Sequence, residues 1–230
     1  MSVIEILSNK LQANIKTVVM TNINDNKQWQ LSEKFTTIDS FISNALNKLQ
    51  DNENKLRLGA TSMPSSYKLV LETNVDNGNR TYKGDVAIEL TIMENTETIM
   101  LHSKEQNIIE LKVFEIDGLT SVPLMKYSLY SLTDTLTVYF LNEAVAGTVY
   151  ILKIKYSAVL GISSAGFYRT EYKINDQIRY LAATQFEPTR ARFAFPCYDE
   201  PSFKAIFELS IIHHESYHAI SNMDGTRTLK

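Results

Sequence analysis

The strongest constraint on the fold is an alternation of apolar and polar residues that begins near Leu56. Val86, Ile88, Leu90 and Ile92 alternate with Ala, Glu and Thr, as a strand with one buried face requires. The same alternation recurs in Tyr67–Leu71, Ile109–Val113, Leu136–Phe140 and Tyr150–Tyr156. Turn-forming residues at Asp76–Asn79 and Asp117–Gly118 separate these runs and favour hairpins over helical crossovers. The pattern therefore predicts a mainly antiparallel β domain over residues 56–230.

Residues 1–55 follow a different pattern, because they contain neither Gly nor Pro and their apolar residues recur at helical spacing. Two amphipathic faces result, one formed by Ile4, Leu7, Leu11, Ile15 and Val18, the other by Ile38, Ile42, Ala45, Leu46 and Leu49. Thr36–Asp39 has the form of a capping box at the start of the second helix. We therefore expect a helical segment, a hairpin or a partly ordered leader, before the β domain.

Composition and charge exclude several classes of function. The chain has 230 residues and a formal net charge of -3, whereas non-specific binding to nucleic acid or anionic membrane needs a surplus of Lys and Arg. Cys197 is the single cysteine, so no disulfide can form within the chain. No apolar run is long enough to span a bilayer, and the first ten residues lack the features of a signal peptide. We expect neither a nucleic-acid partner nor membrane contact, and the cellular compartment stays open.

Charge, proline and aromatic residues crowd into one segment, Leu181–Phe207. Its parts TQFEP (184–188) and FPCYDEP (195–201) resemble a signature of the M1 zinc aminopeptidases, and so do GFYRTEY (166–172) and AISNM (219–223). The resemblance covers residues 57–230 and implies the N-terminal domain of that family, a saddle-shaped antiparallel β domain that packs against a thermolysin-like zinc domain. It adds a second interpretation of residues 1–55, the tail of a preceding unit, because M1 enzymes end in a helical domain and sometimes occur in tandem.

The resemblance assigns a role to Glu187 and, beside it, to Gln185. An aminopeptidase must distinguish a free α-ammonium group from an internal peptide, and a fixed carboxylate does so by charge pairing. Glu187 matches the family position that does this, while Pro188 restricts Glu187 to extended backbone conformations. On an extended segment Gln185 points the same way as Glu187 and could hydrogen-bond near the first substrate residue. The alternative is that Glu187 is an ordinary solvated carboxylate.

The FPCYDEP block has a structural interpretation. Cys197 lies between Pro and Tyr in an apolar run, which is typical of a buried small residue rather than a nucleophile. Asp199 and Glu200 are expected to pair with Arg192 or to cap backbone amides. Arg190 and Phe193 depart from the commoner TDARRAFPC pattern of the family, where Asp and Arg stand, so the local ion pairs are expected to differ.

His214–His218, HESYH, has the form H-E-x-x-H, which holds zinc in this family. Two His side chains four apart share an ion only on a helix. The preceding residues alternate as a strand does, and on a strand residues four apart lie about 13 Å from each other. The third family ligand, a glutamate farther along, has no counterpart in the sequence. We therefore expect no metal ligands and no catalytic residues in this chain.

The sequence also lacks the family's G-x-M-E-N loop, which supplies a second carboxylate for the substrate ammonium. We expect the N-terminal domain of an M1 aminopeptidase, inactive alone, which contributes recognition of a peptide N-terminus to a separate catalytic domain that holds Zn²⁺. One alternative is a non-catalytic peptide- or protein-binding module that keeps the β scaffold. Another is a minimal metalloprotease that uses His214 and His218.

Overall fold

The computed structural model describes residues 57–73, 75, 80–223 and 225. The chain divides into two units, Met1–Leu56 and Arg57–Lys230. Both the predicted helical segment and the turn at 76–79 lie outside the described residues. Within the described part, no helix has the length and apolar character needed to cross a membrane.

The described part of the second unit is built from strands, which confirms the predicted mainly β fold. In chain order they are β1 (Ser62–Thr73), β2 (Thr81–Ile92), β3 (Thr96–His102), β4 (Asn107–Glu115), β5 (Ser121–Val122), β6 (Leu124–Tyr130), β7 (Thr135–Ala144), β8 (Val149–Val159), β9 (Gly166–Ile174), β10 (Gln177–Gln185) and β11 (Ile206–Ile212). A single turn of 3₁₀ helix at Ala191–Phe193 lies between β10 and β11.

The strands form three sheets. The largest has the order β11-β1-β2-β8-β4-β5, the second has the order β3-β7-β6, and β9 and β10 make a separate hairpin. Neighbouring strands are antiparallel except β11, which pairs with β1 in parallel over Ser66–Glu72 and Ile206–Ile212. The predicted antiparallel arrangement is therefore right for every described pair but that one.

One continuous hydrophobic core includes residues of both the six-stranded and the three-stranded sheets. Val86, Ile88 and Leu90 of β2 and Leu136 and Val138 of β7 are completely buried in it. The alternation read from the sequence therefore identifies the inward face of these strands correctly. Ring contacts extend the core to the hairpin, where Phe167 packs edge-on against Tyr82 with 5.0 Å between ring centroids.

Ile109 departs from the predicted alternation. The pairing of β4 with β8 shifts between Ile108 and Glu110, so Ile109 occupies a β-bulge. An extra residue in one strand reverses the direction of the side chain at that point. As a result Ile109 is 60% exposed while Val113, farther along the strand, is buried.

The exposed face of the six-stranded sheet carries several ion pairs between neighbouring strand positions. Lys68 lies 3.8 Å from Glu208, and Lys83 lies 3.7 Å from Glu72. Glu110 pairs with both Lys112 and Lys155, and hydrogen bonds from these two lysines lower the pKa of its carboxyl group. Alternating charges on exposed strand positions are typical of a solvated face.

Candidate functional site

The hairpin of β9 and β10 carries the chain to the candidate site. Its strands pair from Ile174 and Gln177 at the tip to Gly166 and Gln185 at the base, joined by the two-residue turn 175–176. Gln185 is the last residue of β10 and its side chain is exposed. The hairpin base thus places Gln185 beside the turn that follows it.

Glu187 lies in that turn, which spans residues 187–190. The peptide bond between Glu187 and Pro188 is cis, and the Arg190 amide donates to the Phe186 carbonyl at 2.7 Å. Glu187 is exposed, whereas its neighbour Phe186 packs against Phe195 with 5.9 Å between ring centroids. The turn therefore has an apolar anchor on one side and a carboxylate in solvent on the other.

The strand that carries Gln185 does not include Glu187. β10 stops at Gln185, and Glu187 already belongs to the turn. The period-2 rule that would point both side chains the same way applies only within a strand. Gln185 and Glu187 thus lie two residues apart on one exposed segment. Strand geometry does not by itself point their two side chains in the same direction.

The predicted roles of Asp199 and Glu200 are confirmed. Asp199 accepts a hydrogen bond from Arg192 Nε at 2.8 Å and one from the Arg192 amide at 3.3 Å, and only about a tenth of each side chain is exposed. Glu200 accepts from the Leu58 amide at 2.6 Å. One carboxylate closes the loop after the 3₁₀ turn, and the other ties that loop to the start of the domain.

Cys197 is a buried structural residue, as expected. Its side chain is 3% exposed, and burial raises the pKa of its thiol well above the ordinary value. Its backbone exchanges two hydrogen bonds with His102, of 2.8 Å and 3.0 Å. A thiol held in its protonated form inside the core is a poor nucleophile.

The H-E-x-x-H string does not have the conformation that zinc binding requires. β11 ends at Ile212, residues 215–216 form a turn, and no helix occurs in the described stretch 205–223. His214 Nδ1 instead lies 2.8 Å from Ser216 Oγ. The residues therefore do not fit the helical i, i+4 arrangement, and the predicted strand before His214 is confirmed. Among the described residues, no group of three or more His, Cys, Asp or Glu could hold a metal ion.

Sequence reasoning missed the buried polar groups that bind the backbone a few residues after the Glu187 turn. Tyr82 and Tyr156 both direct their hydroxyl groups at the Ala194 carbonyl, and the Gln106 side-chain amide donates to the Arg192 carbonyl. One signal was available, because Gly84 interrupts the pattern of β2, and a glycine inside a strand often marks a close approach by another group.

The fold and these motifs agree with the comparison to known proteins. Residues 63–230 match the family described as Peptidase M1 N-terminal domain. The chain belongs to this family. The resemblance read from the TQFEP and FPCYDEP segments is thereby confirmed.

Known members of the M1 family resemble the chain over the same region. It is 37% identical to the thyrotropin-releasing hormone-degrading ectoenzyme of Rattus norvegicus over 169 residues, which are 74% of this chain and 16% of the relative. It is 35% identical to aminopeptidase N of Bos taurus over 178 residues, and 38% identical to endoplasmic reticulum aminopeptidase 1 of Rattus norvegicus over 175 residues; each match covers 74% of this chain and 18% of the relative. The matched part of the chain therefore spans less than a fifth of the length of these relatives.

Proposed function

We propose that this M1 N-terminal domain recognises the free amino terminus of a peptide through Glu187 and Gln185. In this proposal the domain does not catalyse hydrolysis alone. Zinc and the groups that cleave the peptide bond belong to a catalytic domain of the kind that M1 aminopeptidases carry. The observation that supports the proposal best is the position of Glu187, an exposed carboxylate at the base of a hairpin on a turn that is anchored in the core.

The chemistry of the pair suits a peptide amino terminus. A carboxylate pairs with an α-ammonium group but gains nothing from the neutral amide of an acetylated terminus, so the interaction selects for a free terminus. The Gln185 side chain offers both a donor and an acceptor, which matches the first peptide unit of a substrate. The names of the relatives support this interpretation, because two of the three proteins described above are named aminopeptidases.

Substitution of Glu187 by Gln tests the proposal on the protein itself. The wild-type chain is expected to bind trialanine more tightly than N-acetyl-trialanine in an NMR titration. Because hydrogen bonds to charged groups contribute about 1.5–3 kcal/mol, Glu187→Gln should weaken trialanine binding by about tenfold or more. Binding of the acetylated peptide should not change.

Glu97→Gln provides the matched control, since it removes an exposed carboxylate from β3 in the three-stranded sheet. It is expected to bind both peptides as the wild type does. Equal affinity of the wild-type chain for the two peptides would refute the recognition role. Release of the chromophore from an aminoacyl anilide by the purified chain, lost in His214→Ala, would refute the assignment of catalysis to another domain and would favour the minimal metalloprotease.

A further inference from the structure

Two buried tyrosines converge on one backbone carbonyl in the segment that follows the Glu187 turn. The Tyr82 hydroxyl donates to the Ala194 carbonyl at 2.7 Å, and the Tyr156 hydroxyl donates to the same oxygen at 2.9 Å. The two side chains are 1% and 0% exposed. Both lone pairs of the carbonyl are therefore used, by donors that come from adjacent strands β2 and β8.

A glycine makes this convergence possible. Tyr156 pairs directly with Gly84 across β8 and β2, and a Cβ atom at position 84 would lie 2.0 Å from Tyr156 Cζ and 2.3 Å from its hydroxyl oxygen. The Tyr156 ring thus lies across β2, in the space that the side chain of any residue other than glycine at position 84 would occupy. Glycine inside a strand weakens that strand. The presence of Gly84 therefore indicates that room for the Tyr156 side chain matters more than the local stability of β2.

The Arg192 carbonyl, two residues before Ala194, is held in the same way. It accepts from the Lys104 amide at 2.9 Å and from Gln106 Nε2 at 2.7 Å. The Phe193 carbonyl lies 3.2 Å from the Tyr82 hydroxyl, whose single proton is directed to the nearer Ala194 carbonyl. The Arg192 and Ala194 carbonyls are therefore bound by groups from β2, from β8 and from the segment between β3 and β4, and the Phe193 carbonyl lies between them. We call this set of hydrogen bonds the carbonyl clamp.

The clamp is connected to the Glu187 turn through a short chain of contacts. The Phe193 amide donates to the Arg190 carbonyl at 3.2 Å, and the Arg190 amide closes the turn on Phe186 at 2.7 Å. Gly166, whose φ is +65°, lies so close to this segment that a Cβ there would be 3.3 Å from the Arg190 carbonyl oxygen and 2.5 Å from Phe193 Cβ. The segment has little room to move between the hairpin base and the clamp.

We propose that the Tyr82 and Tyr156 hydroxyls are positioning groups for Glu187, which they hold in place for a peptide amino terminus by fixing the backbone of residues 192–194. The proposal rests on the recognition role of Glu187 and goes beyond it, because neither tyrosine contacts a peptide. Burial raises the pKa of both phenols above the ordinary value, so both stay protonated donors at neutral pH.

Removal of a single hydroxyl tests the clamp. Tyr156→Phe and, separately, Tyr82→Phe keep the ring in the core and delete one hydrogen bond to the Ala194 carbonyl. In NMR titrations of the full chain, we expect the ratio of trialanine affinity to N-acetyl-trialanine affinity to fall about three- to tenfold, the range that one neutral hydrogen bond supports. The ratio does not depend on how much of the protein is folded, because both peptides meet the same folded fraction.

Tyr198→Phe is the matched control. Tyr198 is 5% exposed, and its hydroxyl bonds to Ser62 Oγ at 2.7 Å, so the variant loses a buried hydrogen bond of the same kind outside the clamp. Its affinity ratio should equal that of the wild type. We expect hydrogen exchange at the Arg190 amide to be faster in the two clamp variants but not in Tyr198→Phe. Faster exchange at this amide would show that the Glu187 turn has loosened.

Each outcome decides between the two proposals. A wild-type chain without preference for trialanine refutes the recognition role, and the clamp proposal falls with it. A wild-type preference that is lost in Glu187→Gln but kept in both Tyr82→Phe and Tyr156→Phe refutes the clamp alone. An equal loss in Tyr198→Phe also refutes the clamp, because any buried hydroxyl would then have the same effect.

Discussion

Gly84 shows at the scale of a single residue how a site far along the chain constrains a strand. The Tyr156 ring that covers it is completely buried, so it cannot swing aside for a Cβ atom 2.0 Å from Cζ. Overpacking of this kind costs about 1–3 kcal/mol. Gly84→Ala should therefore lower the free energy of unfolding by that amount in urea denaturation. Gly59→Ala is the control, since nothing lies within 4 Å of a Cβ atom added at that position, and a decrease of the same size there would contradict the explanation.

The residues of the candidate site differ in how far the sequence could predict them. Arg192 and Asp199 are 7 positions apart with opposite charges, so their ion pair follows from local spacing. Tyr156 and Ala194 are 38 positions apart, and Tyr82 and Ala194 are 112 apart. A contact over such distances depends on the register of β2 against β8 and on the return of the chain after β10, which residue types alone do not determine.

The β9–β10 hairpin offers a test at the scale of an element. Its two turn residues, Asn175 and Asp176, have positive φ values of 49° and 63°, the left-handed conformation that two-residue hairpin turns require. Glycine adopts it freely, whereas a β-branched residue is strained there, by about 1–2 kcal/mol. Asp176→Gly should slow hydrogen exchange of the hairpin amides and Asp176→Val should accelerate it. Equal protection in the two variants would show that the turn does not limit hairpin opening.

Burial explains which elements the sequence predicts and which it does not. β1, β2, β7 and β8 have one face in the core, so their apolar residues alternate and the pattern identifies them as strands. β6 and β10 have few buried positions, and nothing there enforces an alternation. The parallel pairing of β11 with β1 also escapes the sequence, because a strand pattern reveals the buried face but not the direction of the neighbouring strand.

At the scale of the whole molecule, buried phenols should decide stability at high pH. Tyr67, Tyr82, Tyr156 and Tyr198 are four of the twelve tyrosines, and burial raises the pKa of each above the ordinary value of 10.0. Because the pKa of each buried phenol is higher in the folded state than in the unfolded state, the phenol's contribution to stability is complete below pH 10. That contribution decreases as the pH rises toward the pKa of the phenol in the folded state. In that range each buried phenol lowers the free energy of unfolding by about 1.4 kcal/mol per pH unit.

The domain should therefore unfold cooperatively above about pH 10, with a loss of the β signal in far-UV circular dichroism. Tyrosinate absorbance from the four buried phenols should appear in the same transition, because these groups ionise only when they reach water. Tyr67→Phe removes one of the four buried phenols and should reduce the absorbance change of that transition by about a quarter. The same variant unfolded in urea gives the absorbance change of all its tyrosines for reference. Completion of the absorbance change before the circular dichroism changes would mean that the phenols ionise inside the folded domain, and burial would then not be the source of their raised pKa values.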